Sequence, residues 1–246
     1  MKSNHRLPIL FLAVLAGLFL GLVEPVFAGP GGIIKEVAMS FWGKVGLSVL
    51  AIIFAPLIIW YMAKRHKHIK LVRSDLDRLA ALYPQYRWLD VRDRATEIFL
   101  WMWSAWSQQK MSIAADFTTH WFWQNQQLIL DQWAAENLQN VCRPEKIISI
   151  TPLYIEHIEE DNGDGSCIVV QIKATVVDYL KNNSTGAIVK GEEKVGDLET
   201  IWTLKRQEGE WRLNFIEDGS QEFAYLGLTN KLPSALQAAP QEQTAL

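Results

Sequence analysis

The chain has 246 residues, 49% of them apolar, with 24 Lys and Arg against 27 Asp and Glu, 11 tryptophans and two cysteines. Cys142 and Cys167 stand alone, so they supply neither a disulfide framework nor zinc-ligand spacing, and read as small buried apolar residues. From residue 74 onward there are 15 Lys and Arg against 25 Asp and Glu, a net of −10. Such a domain is repelled by phosphate backbones, which argues against nucleic-acid partners.

The first 28 residues, "MKSNHRLPILFLAVLAGLFLGLVEPVFA", read as a secretory signal peptide. Lys2 and Arg6 give a basic start, an apolar run follows, and Val26-Phe27-Ala28 ends it with a small residue at −1 and a tolerated Val at −3. The alternative is an uncleaved first membrane helix. After a short outer segment, 29–44, residues 45–63, "VGLSVLAIIFAPLIIWYMA", carry no charge. That length crosses a hydrocarbon core as a helix, and Pro56 is tolerated there. Trp42, Trp60 and Tyr61 lie near its ends, where amphipathic rings sit.

Lys64, Arg65, Lys67, Lys70 and Arg73 follow directly, against Lys35 and Lys44 on the other side. This asymmetry predicts a single-pass protein of the inner (cytoplasmic) membrane, with everything after residue 64 in the cytoplasm. An uncleaved signal gives a two-helix hairpin with the same outcome. The basic run also offers a surface for anionic lipid.

Residues 64–87 are predicted to form a basic juxtamembrane and linker helix, with Ser74 as its N-cap and Pro84 as its stop. An amphipathic helix follows over 89–108. Val91, Ala95, Ile98, Met102 and Trp106 form its stripe, widened by Phe99, Trp103 and Ala105. Leu100 falls on its polar face and Trp101 at its edge. A third helix is predicted over 113–140, broken once, ending at Arg143-Pro144.

The period then changes to two. In "KIISITPLYIEHIEE", Pro152 demotes the segment to an edge strand or a bulge. "CIVVQIKATVVDYL" alternates cleanly. "DNGDGS" and "KNNSTGA" are turns, and "IVKGEE" begins a return strand. "LETIWTLKRQ" and "EWRLNFIED" are two further strands. Their predicted inner faces are Leu198, Trp202 and Leu204, then Trp211, Leu213 and Phe215. Helices first and strands after them predict an α+β domain with N-terminal helices on a mainly antiparallel four-stranded sheet. It spans 88–230, with a disordered tail over 231–246.

The later strands carry a resemblance. Asp178-Tyr179 precedes a Thr185-Gly186 hairpin, Gly191 comes two residues after Val189, and Trp202, Arg206, Trp211, Leu213 and Ile216 close the pattern. Over residues 88–220 the chain resembles the Tim forty-four-like family. Its members are relatives of the membrane anchor of the mitochondrial protein-import motor and occur also in bacteria. The resemblance implies a cone-shaped fold of the nuclear-transport-factor-2-like type, with a curved sheet around a pocket. It also implies a role in protein translocation or membrane-complex assembly.

In such a cone, Trp103, Trp106, Trp121, Trp202 and Trp211 either line one apolar pocket or fill a solid core. The pocket reading makes the protein a membrane-anchored, non-catalytic interaction module that takes membrane or translocating protein segments. Two rivals stand beside it. An enzyme or small-ligand carrier would use Asp178 as a base, with His120 or His157 as partner. A secretion-system assembly factor of the same fold would place the domain on the other side of the membrane. No cofactor motif is present. "DNGDG" lacks the further acidic ligands of a calcium loop, and reads as a hairpin turn.

Overall fold

The computed structural model describes residues 41–237. The signal segment 1–28 and most of the outer segment lie outside the described residues. The chain divides into two compact units, residues 1–65 and 66–246.

In the first unit the described chain is helical. It is the N-terminal part of α1 (Phe41–Leu82), with Pro56 inside it. Ile53, Leu57, Ile59, Trp60 and Met62 are all more than half exposed. A helix that is apolar all round belongs in hydrocarbon or in a large core. Its most apolar 18-residue window has a mean hydropathy of 2.3, so the helix is long and apolar enough to cross a membrane. The Lys64 ammonium lies 5.5 Å from the Trp60 ring centroid.

In the second unit, residues 66–82 continue α1 without the interruption predicted at Ser74, which lies mid-helix. No Gly or Pro falls between Pro56 and Pro84, so nothing in the backbone favours a break. Here the helix turns amphipathic. His68, Val72, Asp75, Leu76 and Leu79 are buried at helical spacing. Lys67, Lys70 and Arg73 take the exposed face, with the Arg73 guanidinium 5.1 Å from the Trp88 ring centroid. Pro84 ends the helix as predicted, opening the 3₁₀ turn Pro84–Tyr86.

α2 (Trp88–Ser107) buries Val91, Ala95, Ile98, Phe99, Met102, Trp103 and Ala105, the predicted stripe. Leu100 and Trp101 stay exposed, and Trp101 stacks on Phe117 at 5.1 Å. Gln109 stops the helix at φ 54°. The third helical segment breaks once, into a 3₁₀ stretch (Met111–Phe117) and α3 (His120–Ala135). It ends earlier than expected. Asn137 takes φ 59°, a left-handed conformation that asparagine tolerates, and β1 (Leu138–Glu156) already contains Arg143 and Pro144.

β2 (Cys167–Asn182), β3 (Ile188–Gln207) and β4 (Glu210–Asp218) complete an antiparallel sheet in the order β1-β2-β3-β4. The α+β class, the N-terminal helices and the four antiparallel strands are as the sequence predicts. β1 is an edge strand whose register shifts beside both Pro144 and Pro152, because proline cannot donate to a ladder. "IVKGEE" and "LETIWTLKRQ" form one long strand, β3. Residues 193–195 bulge opposite Val177 between the pairs Val176↔Gly196 and Asp178↔Glu192. β4 pairs with β3 only from Thr200 onward.

The helices cover one sheet face. Ile168, Val170, Ile172 and Ala174 of β2 meet α2 residues such as Ile98 and Phe99, all fully buried. On the other face a smaller cluster of Leu153, Tyr154, Val169 and Ile201 lies against Tyr225 of α4 (Glu222–Tyr225). Phe215 is 45% exposed and does not join the inner face. Asn214 is the bulged residue between Leu204↔Leu213 and Thr203↔Phe215, and the extra residue turns Phe215 over.

Residues 231–237, expected to be disordered, are ordered against the sheet. Lys231 N–H donates to the Ile155 carbonyl at 2.9 Å, and His157 N–H donates to the Lys231 carbonyl at 2.8 Å. Leu232 and Leu236 pack on the core, the latter from the short helix α5 (Ser234–Gln237). Arg78 donates to the Leu236 carbonyl, and Asn230 Nδ2 donates to Asp75 Oδ2 at 2.8 Å.

Candidate functional site: an indole-walled cavity

A cavity of about 240 Å³ opens where α2, α3 and the sheet converge. α2 brings Trp103 and Trp106, one turn apart on its stripe. α3 brings Gln126, Ile129, Leu130 and Trp133, a single helical face. Cys142 comes from β1, Asp178 from β2, Leu198, Thr200 and Trp202 from β3, and Ile216 from β4. The floor is apolar because these strand positions share the inner face with the core.

The rings are held by specific contacts. Trp103 and Trp106 meet edge to face, with centroids 5.7 Å apart at 90°. Trp106 Nε1 donates to Gln126 Oε1 at 3.3 Å, and Trp202 Nε1 donates to Thr200 Oγ1 at 3.0 Å. Phe99 lies 5.7 Å from Trp103 and 5.5 Å from Trp202, tying the two rings together from behind. Trp103 Nε1 is buried without a hydrogen-bond partner.

Asp178 stands at the cavity mouth. Its residue is exposed, yet partial burial on the cavity side raises its carboxyl from its ordinary value, with Lys190 opposing in part. Burial, with Asp178 adding, pushes the Cys142 thiol up to about 12, so it is an inert thiol at neutral pH.

The structure therefore gathers Trp103, Trp106, Trp202 and Asp178 around one cavity, and leaves two predicted members out. Trp121 is 57% exposed on α3, tilted against Phe122, because its position is off the face that carries Gln126 and Trp133. Trp211 is buried in the same core as Trp103 and Trp202 but does not line the cavity. Its Nε1 donates to the Gln85 carbonyl at 3.0 Å, and Tyr86 packs on it edge to face at 5.4 Å. Neither histidine reaches Asp178. His120 bonds Gln124 at 2.8 Å, and His157 Nδ1 shares a 2.7 Å hydrogen bond with the Tyr86 hydroxyl.

Trp133, Gln126 and Asn140 are cavity residues that sequence reasoning does not single out. The signal lay in the 126, 129, 130, 133 spacing of α3, which is an i, i+3, i+4, i+7 face. Among the described residues, no group of three or more His, Cys, Asp or Glu is placed to hold a metal ion.

No family model matches the chain. No curated protein matches it either. Among solved structures, the intermembrane space region of the chloroplast protein ARC6 is similar at 8% identity, over 50% of this chain and 92% of that one, with a TM-score of 0.36. A likeness at that level bears on neither fold nor function.

Proposed function

We propose that this protein is a membrane-anchored, non-catalytic docking module whose indole-walled cavity captures a side chain of a partner membrane protein or translocating segment. The observation that carries this reading is the cavity itself. Four indoles, Trp103, Trp106, Trp133 and Trp202, surround an open space of about 240 Å³. That is below the usual range for a small-molecule site and suits a single side chain. Rigid aromatic walls supply contact area at low entropy cost, as anchor pockets of interfaces do.

The apolar, span-length helix in the same chain supports tethering at a bilayer, which raises the effective concentration of membrane partners. The basic run from Lys64 to Arg73 supports a cytoplasmic position for the domain and contact with anionic lipid. Membership of the Tim forty-four-like family, with its curved cone and its translocation role, belongs to this same proposal. It rests on the pattern from Asp178 to Ile216.

The enzyme reading is weaker. Asp178 is the one cavity group suited to proton transfer, and Cys142, the other titratable lining residue, is held neutral. Photo-crosslinking in cells tests the docking reading, with a probe at Trp106 in the cavity and a second at Leu128, which is 67% exposed away from it. Discrete products from position 106 and not from 128 support docking. Equal or absent products from a folded, membrane-bound protein refute it.

A further inference from the structure

The cavity's walls and its one charge select an occupant, and the inference rests on the docking reading. Indole faces are electron-rich and attract cations within about 6 Å of the ring centroid. The perpendicular Trp103–Trp106 pair makes a corner that presents a face and an edge to whatever enters. No Lys, Arg or His lines the space, and the charge-bearing wall residue is the Asp178 carboxylate.

The groups around Asp178 leave that carboxylate available. Across the strand pair it faces Glu192, which is engaged with Lys194 in an ion pair. Lys190 lies opposite Leu180, close enough to draw the carboxyl down in part but without an ion pair to it. Asp178 has no ion pair and no side-chain hydrogen bond among the described residues. A carboxylate without a partner, standing at the rim of an aromatic cavity with no other charge in its wall, is a cation subsite.

We propose that the cavity takes an alkylammonium group, the side chain of a partner lysine, with its stem along Trp103, Trp106, Trp133 and Trp202 and its charge at Asp178. Lysine suits the shape, since it lays an apolar stem on apolar walls and keeps a compact charge at the wet end. Partner segments on the cytoplasmic side of membrane proteins are rich in lysine and arginine. The excess of 25 acidic over 15 basic residues from position 74 onward draws such segments toward the domain before contact.

The test uses the full chain in nanodiscs, labelled with 5-fluorotryptophan and assigned by single Trp→Phe variants. The probe is n-butylammonium, the lysine side chain itself, with n-butanol as the uncharged match of similar length. n-Butylammonium should shift the cavity indole resonances saturably, with a Kd about ten-fold below that of n-butanol. Asp178→Asn should erase that difference by weakening n-butylammonium alone, while Lys190→Gln should strengthen it.

Equal shifts by both probes, unchanged by Asp178→Asn, would overturn the cation assignment and leave the docking cavity standing. Preference for n-butylammonium that survives Asp178→Asn would overturn the role of Asp178. No shift of the cavity resonances by either probe would sink both this assignment and the docking reading.

Discussion

Gly191 lies so close to Asp178 that a Cβ built on it would stand 2.4 Å from the Asp178 carbonyl oxygen, and 2.9 Å from Tyr179 Cα. Gly191 also sits at φ +80°, a conformation that side-chain-bearing residues rarely adopt. The bulge at residues 193–195 follows it directly in the chain. Gly191→Ala therefore has to move the β2 backbone at the very residue that guards the cavity. A destabilisation of about 1–3 kcal/mol is expected from strain of this kind. Urea denaturation of the full chain reads it. Gly186→Ala makes a useful contrast, since Gly186 shares a positive φ but has nothing within 4 Å of its Cβ position.

His157 gives a pH signature. Burial holds its imidazole below its ordinary value of 6.5, with Glu159 opposing in part. The unfolded chain thus takes up a proton near pH 6.5 that the folded chain refuses, so stability falls as pH drops below 6.5 toward the folded value. His157→Gln should flatten that part of the curve, measured by denaturant midpoints at pH 7.5 and 5.5. Tyr86→Phe removes the 2.7 Å partner of His157 Nδ1 and should cost about 1–3 kcal/mol at neutral pH.

Three of the tryptophans named from sequence should separate by substitution. Trp202 is 1% exposed, and Trp202→Ala should cost about 3–5 kcal/mol, as large core truncations do. Trp121→Ala should change stability by no more than about 0.5 kcal/mol, since its ring is 57% exposed. Trp106 is the informative position. It is half-buried, lines the cavity and bonds Gln126, so Trp106→Leu should weaken probe binding with a smaller loss of stability than Trp202→Ala. Thermal midpoints and the fluorine shifts, recorded on the same samples, check all three.

Sidedness has its own experiment. Burial pushes the Cys142 and Cys167 thiols to about 12 and about 11, so both should react slowly with maleimide at pH 7. A cysteine at the exposed Glu192 position then dominates labelling. With an impermeant maleimide, the proposed cytoplasmic position requires that Glu192→Cys label only after the inner membrane is opened. Labelling in cells whose outer barrier alone has been breached would place the domain on the other side.

These outcomes also mark what sequence could and could not yield. α2 was legible because its apolar stripe repeats with a 3.6-residue period and Pro84 punctuates the helix before it. The edge position of β1 followed from Pro152, whose missing N–H forbids a central strand. The end of α3 was not legible, because its stop is Asn137 in a left-handed conformation, a weaker mark than the Arg143-Pro144 pair six residues on. β3 looked like two strands because Gly191 and Gly196 bracket charged residues, whereas pairing with β2 carries the chain through. Phe215 faced the wrong way for one reason, the extra residue at Asn214. The cavity was half legible. Alternation placed Trp202 and helical period placed Trp103 and Trp106, whereas the face that carries Trp133 and not Trp121 is marked only by Ile129 and Leu130 among amides, a faint stripe on an aromatic helix.

The bulge at residues 193–195 bears on how the sheet meets other chains. Bare strand edges recruit other strands, and β3 before Thr200 has no β4 beside it. That stretch reads "GEEKVGD", with two glycines and four charges at a bulge, which is poor material for templating a neighbour. Elsewhere β1 is interrupted at two prolines and pairs with Lys231 at its far end, while Thr118 and Thr119 cap β4 at Leu213. With every edge discouraged from borrowing a stranger's backbone, the domain should resist fibril seeding when concentrated or warmed. A companion is then better recognised by side chains than by an added strand.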